Sequence, residues 1–248
     1  NRITSYKING GKMKQYKAII IGLILAALPF NSAFAILGFG IQGGQSMFTI
    51  GERGDSRLLT AMPETYANFQ TASFSDPFSF GLYVYLDFIP FIDIDIDMMF
   101  NAKKYQFSFE NPIRDVGPMD AYWGGASTYI TARKKLLGLE LPILGGAQLF
   151  AGGGYNMHTF APLVNLDLVE SLMNGELGAE PQFDEKQLIA FIKDNKVDKT
   201  GFHIQGGMKF QLFVLDAFMF YRHTIGEFED IIDAKTYGSL NLRLGMGF

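Results

Sequence analysis

The 248-residue sequence contains no cysteine, a single tryptophan, three histidines and nine prolines. Without cysteine there is no disulfide framework, no thiol nucleophile and no acylated N-terminal cysteine of the lipoprotein type. A phosphate-binding loop is missing too: Gly152-Gly153-Gly154 is followed by neither Lys-Ser/Thr nor a helical pattern, so it reads as strand glycine. Beyond residue 35 no apolar run reaches the roughly 20 residues that a membrane helix needs. If that part of the chain is integral to a membrane, it must be a closed barrel, the other structure that satisfies its own backbone in lipid.

Basic charge is scarce once the start is set aside. Met13-Lys14-Gln15-Tyr16-Lys17, the apolar run Ala18 to Leu28 and Ala33-Phe34-Ala35 form a basic start, a hydrophobic segment and an A-x-A site, the pattern of a secretory signal peptide. Pro29 and Asn31 interrupt the apolar run too early for a spanning helix. Residues 1–12 lack an initiator and read as an upstream extension, residues 13–35 as the signal peptide, and 36–248 as the barrel domain, with cleavage after Ala35. All five basic residues of residues 1–35 (Arg2, Lys7, Lys12, Lys14, Lys17) leave with it and no acid does, so 16 of the 21 basic residues remain against 25 acids, a balance of −9. Such a surface does not favour nucleic acid as a partner.

What the sequence does have is alternation. Ile92-Asp93-Ile94-Asp95-Ile96-Asp97 places three isoleucines on one face of a strand and three aspartates on the other, where a helix would scatter both sets. Leu37, Phe39 and Ile41 alternate with Gly38, Gly40 and Gln42 in Ile36 to Gly44, and Phe80, Leu82, Val84 and Leu86 with Ser79, Gly81, Tyr83, Tyr85 and Asp87 in Phe78 to Phe88. Further strands are expected at Trp123 to Lys135, Ile143 to Asn156, Phe202 to Leu212, Asp216 to His223 and Tyr237 to Phe248. Gln45 to Asp76 reads as a long loop. After Phe100 the apolar phase slips to Tyr105, Phe107 and Phe109, as a β-bulge or a turn at Asn101 to Lys104 would make it. Asn111-Pro112 and Gly117-Pro118 read as loop signals. Two short helices, Asn165 to Met173 and Asp184 to Lys193, are expected within the loop from His158 to Thr200, the second opened by Asp184 and Gln187 in a capping-box spacing. Thr224 to Lys235 reads as an acidic loop.

Counted this way there are eight strands. Long polar connections follow the odd ones and tight turns (Ile89-Pro90-Phe91, Leu137 to Pro142, Phe213-Val214-Leu215) follow the even ones. That sorting suits a barrel with both termini on one side of a membrane. The expected fold is all-β: an antiparallel up-and-down transmembrane barrel of eight strands, with short helices in one long outer loop.

The signal peptide, the parity of the connections and a regular last strand ending in Phe248 resemble the small bacterial outer-membrane barrels of the OmpX and OmpA-transmembrane-domain kind. The resemblance implies a Gram-negative outer-membrane location, contact with lipid and lipopolysaccharide, and an assembly signal in Tyr237, Leu240, Leu242, Leu244, Met246 and Phe248, read by the barrel-assembly machinery. An extracellular partner would be met through the loops.

A lumen charge network is expected on the inward face, from Asp87, Asp93, Asp95 and Asp97 against Lys209 and Arg243, with Arg133 as a further member. Three histidines, His158, His203 and His223, fall at outer strand ends, and alternation places all of them inward. No serine shares a recognisable motif with them, so no catalytic residue, metal ligand or cofactor is expected. Tyr122, Trp123 and Tyr155 read as interfacial girdle. The reading is a non-enzymatic barrel with a filled lumen and a structural or surface-interaction role. Its alternatives are a small porin-like conduit for apolar molecules, with the loop helices as a lid, and a rim-histidine lipid-modifying enzyme.

Overall fold

A computed structural model describes residues 37–61, 63–89, 91–141, 145–173, 177 and 185–248. The signal peptide, its cleavage site and Asp184 lie outside the described residues. None of the described helices is long and apolar enough to cross a membrane.

Eight long strands close into a ring: β1 (Leu37–Met47), β6 (Phe78–Ile89), β7 (Ile92–Glu110), β8 (Asp115–Leu141), β9 (Gly145–Phe160), β10 (Val197–Leu212), β11 (Leu215–Gly226) and β12 (Thr236–Gly247). Each pairs antiparallel with its neighbours, and β12 closes on β1 from Gly38↔Gly247 to Met47↔Gly238. At this seam the Phe248 amide donates to the Leu37 carbonyl at 2.8 Å, and the Leu37 amide to the Phe248 carbonyl at 3.1 Å. Phe248 also stacks on Phe39 with centroids 6.1 Å apart. The expected eight-stranded up-and-down barrel is the observed architecture.

The outward face is apolar around the ring: Phe39 and Ile41, Phe80 and Leu82, Met98 and Phe100, Ile204 and Phe210, and Leu242 and Leu244 are all exposed. The lumen holds the charges. This is the inverse of a soluble barrel, and only a hydrocarbon surround makes it favourable, because the exposed apolar band would otherwise face water.

The break expected at Asn101 to Lys104 is absent. β7 pairs with β8 in unbroken register from Asp93↔Arg133 to Phe107↔Met119, so odd-numbered residues face inward throughout. What changes is the medium outside. Below Asn101 the outward residues are Ile96, Met98 and Phe100; above it they are Gln106, Ser108 and Glu110, while Tyr105, Phe107 and Phe109 are buried inside. The strand leaves the lipid there and enters water, and the apolar side chains change face without any change of phase. The nine residues from Ile92 to Phe100 suffice for a tilted crossing.

Above that level the chain builds a cap instead of loose loops. Gln45 to Asp76 is not a loop: β2 (Thr49–Ile50) pairs with β5 (Phe74–Ser75), and β3 (Arg53–Ala61) forms a hairpin with β4 (Glu64–Thr71), which continues the sheet on the upper part of β7. Gly117-Pro118 likewise lies within β8, at a register shift opposite Phe107 to Phe109, and Leu137 to Leu141 extends β8 where a turn was expected. Helix α1 (Leu166–Leu172) is capped by Asn165, whose side chain accepts the Leu168 amide at 2.9 Å. Helix α2 spans Glu185–Asn195, and a third, α3 (Glu229–Ile232), stands where an acidic loop was expected.

The cap has its own apolar core in two groups. Leu166 and Val169 of α1 and its C-cap Met173 pack on Ala67, Phe69, Phe107 and Phe109 of the extended sheet. Phe48, Ile50, Phe74, Trp123, Phe160, Phe228, Ile232 and Tyr237 close over the barrel mouth. Trp123 is therefore no girdle residue: it is 2% exposed, stacked on Phe160 at 5.6 Å. Tyr122 beside it is 77% exposed, and Tyr155 faces outward against Phe202.

Candidate functional site: the packed lumen

Inward glycines make room for the bulkiest lumen groups. A Cβ on Gly38 would lie 2.1 Å from the Tyr85 ring, and one on Gly245 2.5 Å from the Tyr83 hydroxyl. The small inward residues of β1 and β12 are thus the seats of two tyrosines from β6. Together with Phe150, Phe218 and Phe220 these form an aromatic group in the bore.

The charged side chains are threaded through it. Arg243 donates to Asp95 at 2.9 Å, to both oxygens of Asp97 at 2.6 and 2.7 Å, and to Gln42 at 2.6 Å. Its guanidinium lies 4.9 Å from the Tyr83 ring centroid and 4.6 Å from that of Phe220. Arg133 pairs with Asp93 at 2.6 Å and Asp95 at 3.5 Å, among Tyr85, Phe150 and Phe218. Lys209 stands 3.6 Å from Asp216 and donates to the Tyr85 hydroxyl at 3.0 Å, and that hydroxyl in turn donates to Asp216. Asp87 is half-buried beside Asp93, within its hydrogen-bonding reach. Buried charges cost several kcal/mol each unless paired and hydrogen-bonded. Here each of the four cations, Arg133, Lys209, Arg222 and Arg243, has a carboxylate within 4 Å and an aromatic face beside it.

Sequence reasoning missed Arg222 and Asp216. Arg222 bonds Asp97 and donates from Nε to Gln205 at 2.9 Å, with its guanidinium 3.9 Å from the Tyr129 ring. Both residues lie on the inward face of β11 with Phe218 and Phe220, and His223 is on the opposite face. Placing His223 inward put this strand in the wrong phase. It stands outward, 3.5 Å from the Tyr221 hydroxyl. Both faces of β11 are apolar, Phe218 and Phe220 against Ala217, Met219 and Tyr221, so alternation alone does not orient the strand. Register does: Thr224 pairs with Tyr237 and with His203, both inward.

His158 and His203 are buried inside, their rings edge-on to Tyr129 at 5.4 and 5.2 Å. Ser127 Oγ lies 2.8 Å from His158 Nδ1, and His158 Nε2 lies 3.0 Å from Asn156 Oδ1. Serine, histidine and amide in that order is an arrangement nucleophilic catalysis uses. Two features oppose such use. Ser127 sits between two ladders, with its strand's amides engaged by β7 and β9, which leaves no preorganised oxyanion donor beside it. Phe160, Phe228 and Tyr237 also pack against His158, which is 2% exposed. Among the described residues no group of His, Asp and Glu could hold a metal ion.

In the last strand, Leu240, Leu242, Leu244 and Met246 face outward with Phe248 at the seam, whereas Tyr237 is buried inside the cap, 3.2 Å from the Tyr129 hydroxyl. The six residues read as one assembly signal thus lie on two faces.

A scan of protein-family models and a search of curated proteins found no match. Among solved structures the chain is similar in fold to the N-terminal β-barrel domain of Pseudomonas aeruginosa OprF, at 8% identity over 87% of this chain and 99% of that one, with a TM-score of 0.42. It is also similar to Pseudomonas aeruginosa OprG, at 13% identity over 87% and 97% with a TM-score of 0.41, and to Neisserial surface protein A, at 12% over 88% and 98% with a TM-score of 0.39. Its closed ring of eight antiparallel strands, with an apolar outward band and an ionic lumen, has the architecture of a small transmembrane β-barrel.

Proposed function

We propose that this protein is a non-enzymatic barrel with a closed bore, and that it acts at the cell surface through its folded cap. The observation that carries the reading is the burial of the lumen charges: Arg133, Lys209, Arg222, Arg243, Asp95 and Asp97 are each 2% exposed or less. An eight-stranded bore is narrow enough for side chains to fill, and these occupy it. Asp93, Asp95, Asp97, Lys209 and Arg243 are the residues of the network, with Arg133, Arg222 and Asp216 as equal members and Asp87 at its lower edge.

The bilayer, with lipopolysaccharide in its outer leaflet, surrounds the band, and the barrel-assembly machinery reads the outward residues of the last strand. Partners meet the cap, whose surface exposes Leu58, Tyr66, Ile113 and Ile189 among polar residues. Planar-bilayer recordings of the purified barrel test the reading. Negligible current is expected, and a steady open-pore current that Arg243→Ala leaves unaltered would overturn it in favour of a conduit.

A further inference from the structure

The cap contains a cavity of about 220 Å³ that the closed-bore reading does not use. It lies between the start of β3, the segment after β9 and helix α3. Its walls are mainly apolar: Trp123, Phe160, Phe69, Leu163, Val197 and Ile231 line it. Trp123 and Phe160 stack on each other with 20° between their planes at the floor of the cavity, each 2% exposed. Charge is confined to the rim, where Arg53, Asp55 and Asp230 stand. Arg53 spans this rim, donating to the Ile231 carbonyl at 3.1 Å and pairing with Asp233 at 3.6 Å, and so ties β3 to α3 across the opening.

We propose that this cavity is a binding site for a small, uncharged, apolar molecule the size of one ring. The size fits, since a protein cavity of about 150 Å³ lined by aliphatic and aromatic residues admits benzene. The lining fits as well: a small ring set among Leu163, Val197 and Ile231, above the Trp123–Phe160 stack, meets apolar side chains, and none of them offers a charge for a polar ligand to neutralise. The rim carries both signs, with two acids to one arginine, so a charged ligand gains little there. The site is blind. On the barrel side His158 stacks on Phe160 at 5.6 Å and 5°, and Arg222 and Arg243 fill the bore beneath. The cavity therefore captures its ligand at the surface and does not pass it on. Whether the bore conducts is a separate question, because the walls belong to the cap.

Trp123 is the sole tryptophan and reports the site directly. Bromobenzene, a heavy-atom quencher of matching size, is titrated against the refolded full barrel in detergent, followed by back-titration with benzene. The expected result is saturable quenching of Trp123 that benzene reverses competitively and that the cavity-filling Val197→Phe weakens at least tenfold. Quenching that rises linearly, as free partition into micelles gives, and that benzene does not reverse would overturn the proposal. Equal saturable quenching in a heat-modifiable Val197→Phe barrel would overturn it too. If that variant does not fold, competition by benzene in the unsubstituted protein decides alone.

Discussion

Replacing Arg243 by alanine removes the donor on which two buried aspartates depend. Of these, Asp97 keeps Arg222 as a partner, but Asp95 keeps only Arg133 at 3.5 Å, and one of its oxygens already has no hydrogen-bond partner. Gln42 loses its donor as well, and the rings of Tyr83 and Phe220 lose a cation from their faces. Removing one member of a buried pair costs about 3–5 kcal/mol, because the remaining charge stays buried. That is a large share of the roughly 5–15 kcal/mol that holds a typical domain together. The assay is urea unfolding in lipid vesicles, read by heat-modifiable gel mobility and by Trp123 emission, with the shift in midpoint converted through a common slope. Adding Asp95→Asn to Arg243→Ala should restore about 1–3 kcal/mol, since the uncompensated charge is then gone. A midpoint unmoved by Arg243→Ala, or two substitutions whose costs simply add, would refute the reasoning.

Trp123 emission should be insensitive to brominated lipids, because the ring lies inside the cap; quenching of the kind a girdle residue shows would contradict its placement. Deleting Phe248 should lower the yield of folded barrel well below that of a one-residue deletion at the β3–β4 tip, since Phe248 holds the β1–β12 seam; equal yields on semi-native gels would remove its assembly role. Excising residues 165–193 should leave a heat-modifiable barrel but expose the sheet face of Phe69 and Phe107, seen as rapid proteolysis in β3 and β4. Failure to fold at all would make α1 part of the barrel core. N-terminal sequencing of the mature protein should begin at Ile36, and retention of residues 13–35 would exclude the signal peptide.

The period of two in the sequence determined where the eight ring strands lie and, for most of them, which residues share a face. Leu37, Phe39 and Ile41 against Gly38, Gly40 and Gln42 needs no tertiary information, because successive side chains of a strand point to opposite sides. The parity of long and short connections was likewise legible, and with it the closed ring. Three matters were decided by tertiary structure alone. Strand β7 looks broken at Asn101 because a sequence carries no record of the medium, and the same inward phase changes from polar to apolar where lipid gives way to water. Strand β11 is apolar on both faces, so only its pairing with β10 and β12 turns Arg222 inward and His223 out. The cap is the third. Phe48, Phe69, Trp123, Phe160 and Leu166 are scattered along the chain with no common period, and they meet only because a closed barrel brings its loop ends to one mouth, where burying them together removes apolar surface from water.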